Sequence, residues 1–70
     1  MTNTRLLRAR MIEKNKTAHD LAAEVGICEM SLRNKINNIT EFKASEIFTL
    51  CKSLDIAEYE AYFFCPNVDK

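Results

Sequence analysis

The only glycine of the chain stands at position 26, between two short stretches whose apolar residues recur three and four apart. Glycine enters the left-handed backbone region without steric cost, so a lone Gly between two helical patterns marks where one helix stops and the chain turns. On its N-terminal side Thr17 supplies an N-cap oxygen and Asp20, three residues on, makes a shortened capping box; Leu21, Ala22 and Val25 then follow at helical spacing. A helix over about 18–25 is predicted. On its C-terminal side Ile27 is an apolar anchor, and a second short helix over about 29–37 has Leu32 and Ile36 as its inward pair. Glu29, Ser31, Arg33, Asn34, Lys35 and Asn37 make the rest of that helix polar, so it is bound along one edge and presents its other faces outward.

The flanking segments are helical too. From Thr4 to about Asn15, Leu7 and Met11 stand four apart with Ile12 alongside, and Arg5, Arg8, Arg10 and Lys14 take the other faces. Asn37 and Asn38 suit a turn, since Asn tolerates left-handed geometry. From Ala44 to about Leu54, Ala44, Ile47, Phe48, Cys51 and Leu54 read as the central core helix. A last helical turn or two from Glu58 carries Tyr59, Tyr62, Phe63 and Phe64; Pro66 ends it, leaving residues 65–70 as a tail. With 70 residues, 47% of them hydrophobic, and only one Gly and one Pro, the chain has room for one domain, 1–70, with one core. The expected fold is all-α, four to five short helices packed compactly around Leu7, Met11, Leu21, Val25, Ile27, Leu32, Ile36, Phe42, Ile47, Phe48, Cys51 and Leu54.

A steep helix–turn–helix pair that projects one free helix face has the shape a DNA major groove admits. The formal net charge of zero hides an asymmetry: residues 1–40 hold seven basic against four acidic side chains, residues 41–70 three against six. A basic half and an acidic half suit a polyanion bound on one side, with about four to six phosphates neutralised per subunit. Cys28, Cys51 and Cys65 are odd in number and lack CxxC or Cys/His spacing, so neither a disulfide framework nor a metal site is expected, and a reducing cytoplasm fits. No apolar run is long enough for a membrane span. One His and no Gly-rich phosphate loop leave no acid, base or nucleophile set for an enzyme. No cofactor or small-molecule ligand is expected.

The segment TAHDLAAEVGICEMSLRNKINN resembles the helix-turn-helix of the Cro and lambda-repressor-like family, and EFKASEIFTLCKSLDI resembles the helix that follows it in small prophage regulators. The likeness runs from about Leu7 to Phe64 and implies a phage-type transcriptional regulator that binds double-stranded DNA as a homodimer. By that resemblance Glu29, Met30, Arg33 and Asn34 would read bases, with Asn37 at the far end, while Thr17, Cys28, Lys35, Asn38 and Lys43 would hold phosphates. Two positions depart from the family pattern. Ala18 stands where Gln is usual, so His19 is the nearby candidate for that phosphate contact, and Cys28 replaces a Ser that would cap the helix better. The competing reading is a helix-turn-helix body that binds another protein through its aromatic end and not DNA.

Overall fold

The computed structural model describes residues 1–64; the expected tail at 65–70, with its Pro66 stop and Cys65, lies outside the described residues. The described chain forms α1 (Thr4–Glu13), α2 (Ala18–Val25), α3 (Glu29–Ile36), α4 (Ala44–Leu54) and α5 (Tyr59–Phe63), with no strand among the described residues. The domain is all-α, as expected.

Local chemistry sets the boundaries. Asn3 caps α1 by accepting from the Leu6 amide at 3.1 Å. Thr17 and Asp20 make a reciprocal box at the start of α2: the Thr17 hydroxyl accepts from the Asp20 amide and the Asp20 carboxylate from the Thr17 amide. Gly26 ends α2 at φ 90°, ψ 28°, and its amide donates to the Ala22 carbonyl. With no further glycine available, Asn15, Asn38 and Asp55 hold the other left-handed positions at φ 57°, 65° and 55°. Asn and Asp tolerate that region best among residues with a side chain.

The core is formed by Leu7 and Met11 of α1, Ala18, Leu21 and Ala22 of α2, Leu32 and Ile36 of α3, Leu50 and Leu54 of α4, Ile56 and Phe63. Val25, Ile27, Phe42, Ile47 and Cys51 pack against it half-buried. Phe42 meets Phe63 edge to face with ring centroids 5.4 Å apart. One expected core residue is corrected: Phe48 is 65% exposed, and Leu50, which the expected core left out, is buried in its place. The apolar residues of α4 wrap more of the helix than its neighbours cover, and the helix is turned so that Leu50, Leu54 and Ile47 face inward; Phe48 and Ala44 are left on the rim.

Two clasps tie the helices together. Arg10 donates from Nε to the Leu54 carbonyl at 2.9 Å and from Nη2 to the Asp55 carbonyl at 2.7 Å, so it caps the C-terminus of α4 rather than facing solvent. At the other end Asn38 Oδ1 accepts from the Thr2 amide and Nδ2 donates to the Thr2 carbonyl, while Thr4 Oγ1 donates to the Ile36 carbonyl. The start of α1 is thereby fastened to the end of α3.

Candidate nucleic-acid interface

α3 is fixed by Leu32 and Ile36, both buried, and everything else about its faces follows from that registration. Met30, Arg33, Asn34 and Asn37, at successive steps of three, one and three, form the stripe opposite the buried pair, and Met30 is 72% exposed. Glu29 stands on one shoulder beside Arg33. Its Oε2 accepts from Arg33 Nε at 3.0 Å and Nη2 at 2.6 Å, and its Oε1 lies 3.5 Å from His19 Nδ1 on α2. The Arg33 contact, more than the surrounding charges, holds the Glu29 carboxyl below the usual carboxylate range.

The start of α3 has a weak cap. Cys28 makes no side-chain cap bond; its Sγ sits 3.2 Å from the Ser31 hydroxyl, which lowers the thiol's pKa. Thr17, at the start of α2, is exposed, and its hydroxyl is engaged with Asp20, accepting from the Asp20 amide and bonding the Asp20 carboxylate. Thr17, Cys28, Met30, Arg33 and Asn37 are exposed along α2, the turn and α3, with Glu29 and Asn34 half-buried between them.

Lys35 and Asn38 are placed differently. Lys35 leaves the exposed stripe for α4, where Nζ donates to Glu46 Oε1 at 2.9 Å and to the Glu41 carbonyl at 3.3 Å; the side chains of Lys35 and Glu46 are only 13% and 9% exposed. An outward-pointing phosphate ligand is therefore not what Lys35 is in this fold. Asn38 accepts from the Thr2 amide through Oδ1 and donates from Nδ2 to the Thr2 carbonyl and the Thr4 hydroxyl, so its side chain is spent within the fold. Lys43 is exposed at the N-cap of α4, its backbone amide donating to Glu46.

One residue escaped the sequence reading. Arg8 of α1 donates from Nη2 to the Asn37 side chain at 3.2 Å, and together with Arg33 it borders a shallow groove floored by Met11, Ala18 and Ile36. Ala18 is buried there. Where the resembled family has a long polar side chain, this chain has a small floor residue with an arginine on either side. The available signal was Arg8 and Ile12 four apart on one face of α1, beside a small residue at the start of α2.

Among the described residues no group of three or more His, Cys, Asp or Glu is placed to hold a metal ion, and no helix is long and apolar enough to cross a membrane. A family model described as DUF739, protein of unknown function, matches residues 2–65. No curated protein and no solved structure matches the chain.

Proposed function

We propose that this chain, which belongs to the DUF739 family by the match over nearly its whole length, is a sequence-specific binder of double-stranded DNA that regulates transcription from the cytoplasm. The observation that carries the reading is the outward stripe of α3. A short helix is held by one edge, and Met30, Arg33, Asn34 and Asn37 project from the other. Arg forks onto guanine and Asn onto adenine from the major groove, and an apolar Met suits the thymine methyl. Arg8, exposed beside Asn37, flanks that stripe as a phosphate donor. Since one such helix reads few base pairs, the functional unit is a homodimer, with two α3 helices about 34 Å apart on half-sites one turn apart.

The charge count requires a smaller electrostatic footprint than the basic half suggests. Of its seven basic residues, Arg10, Lys14, Lys16, Arg33 and Lys35 lie within 4.0 Å of a carboxylate of this chain. Arg5 and Arg8 remain, and with the exposed Lys43 at the start of α4 about three phosphates are neutralised per subunit, so log affinity falls against log salt with a slope of about −3. Fluorescence anisotropy on a duplex enriched from a randomised library, at two salt concentrations, measures this. Arg33→Ala or Asn34→Ala costs about 1 to 3 kcal/mol on the enriched site and much less on random duplex. Equal losses on both duplexes with an unchanged melting midpoint would make α3 a mere anchor. No enrichment of any duplex would transfer the case to a protein-binding module.

A further inference from the structure

We infer that Glu29 is a positioning residue for base recognition: it grips the Arg33 guanidinium along one edge and leaves the opposite corner to fork onto a guanine. This rests on the reading of α3 as the groove-facing helix.

A guanidinium carries five N–H donors in a fixed plane. The Nε–H and one Nη2–H point along the same edge, and both end on a single carboxylate oxygen, Glu29 Oε2, at 3.0 and 2.6 Å. The donors that remain, two on Nη1 and the second on Nη2, form the end-on fork that matches guanine O6 and N7. The ion pair therefore does not consume the reading edge of Arg33. It selects that edge.

Glu29 is itself held. It lies in the first turn of α3, where the helix dipole favours a carboxylate, and its second oxygen faces His19 Nδ1 on α2 at 3.5 Å. The ladder His19–Glu29–Arg33 thus runs from one helix of the pair to the other. Arg33 is the outermost rung, with its side chain 58% exposed. An arginine has many rotamers to lose when it docks, and one already clamped at its Nε edge loses fewer. Glu29 opposes phosphate binding by its charge, so its contribution must appear in base discrimination and not in overall affinity.

The test compares wild type, Glu29→Gln, Arg33→Ala and Arg33→Lys in selection from a duplex library with a randomised centre, followed by anisotropy on the enriched duplex and its single-base variants. Arg33→Ala identifies the base pair that Arg33 reads; wild type is expected to favour guanine there by about five- to 150-fold, as a bidentate contact does. Glu29→Gln is expected to lose most of that preference while its affinity for random duplex stays level or rises, and Arg33→Lys to lose it as well. In the free protein, the Arg33 Nε–H resonance should be protected from exchange in wild type and lose protection in Glu29→Gln. If Glu29→Gln keeps the guanine preference that Arg33→Ala abolishes, or binds every duplex more tightly with the preference intact, Glu29 is a brake or a bystander and the inference fails alone. If wild type enriches no duplex, the inference and the DNA-binding reading fail together.

Discussion

Lys35 and Glu46 form the least exposed ion pair of the described chain, and their burial changes what each residue is for. Glu46 accepts from the Lys35 ammonium at 2.9 Å and the Lys43 amide at 2.8 Å. Burial alone would push its carboxyl up, but these two hydrogen bonds and the cations outweigh it and hold the carboxyl below its ordinary value. Lys35→Ala leaves Glu46 with one partner and an uncompensated charge in a poorly hydrated site. Loss of a partner from a fully buried pair costs about 3 to 5 kcal/mol; with some exposure and the Lys43 amide retained, about 1 to 3 kcal/mol is expected. That lowers the melting midpoint by on the order of 10 °C for a domain of this size. A calorimetric midpoint unchanged in Lys35→Ala would return the side chain to the role of a free surface cation. Asp20, Glu24 and Glu29 are also held low, chiefly by the Thr17 amide, the Lys16 ammonium and the Arg33 guanidinium respectively. Depressed folded-state values mean that these groups stabilise the fold fully above pH about 4.5 and lose that contribution as pH falls through their folded values. Acid unfolding should therefore occur at higher pH in Glu46→Gln than in wild type. Circular dichroism from pH 6 to pH 2 measures both midpoints, and coincident curves would count against Glu46.

At the scale of elements, the turn between α2 and α3 is the one where backbone geometry alone dictates the residue. Gly26 has φ 90°, and a β-carbon there would meet no heavy atom within 4 Å. Gly26→Ala therefore incurs backbone strain without a clash, about 1 kcal/mol, and a loss of several kcal/mol on chemical denaturation would mean that the space is not open. This element was legible in the sequence because its signals are local: Thr17 and Asp20 three apart, one Gly, and Leu32 and Ile36 four apart. What escaped reading was set by distant partners. Asn38 is committed to Thr2, 36 positions away, and Lys35 to Glu46, 11 positions away, and no spacing within α3 announces either. Phe48 was misplaced for a related reason. Periodicity locates an apolar arc, but which part of a wide arc is covered depends on the helices that pack on it, and here Leu50 and Leu54 face the core. Of the candidate interface, the stripe on α3 followed from two buried residues, whereas Arg8 needed α1 and α3 to be brought side by side.

For the whole molecule, the turned α4 has a consequence opposite in kind to the polar face of α3. Ala44, Ile47, Phe48 and Cys51 of α4 line an apolar depression with Tyr59 and Phe64, and Lys52 Nζ sits 5.3 Å over the Phe48 ring. Tyr59 and Phe64 stack edge to face at 6.0 Å, so the patch is shaped by ring contacts and not by scattered exposed residues. It is the surface we assign to the proposed homodimer. Its size sets the strength: a standard interface buries about 800 Å² per partner, roughly a sixth of the 4695 Å² this chain exposes, and six residues of this kind cannot supply that much. Association through the patch should therefore be weak in free solution and completed when two copies occupy adjacent half-sites on one duplex. Phe48→Glu separates the surface from the fold. The ring is 65% exposed, so the variant should melt within a few degrees of wild type, yet it would bury an unpaired carboxylate in the apolar dimer contact. Sedimentation with a duplex carrying two half-sites should show two wild-type copies per duplex and one copy of Phe48→Glu, with the variant's affinity for the full site close to that for a single half-site. Two copies of Phe48→Glu bound as tightly as wild type would place the dimer contact elsewhere on the molecule.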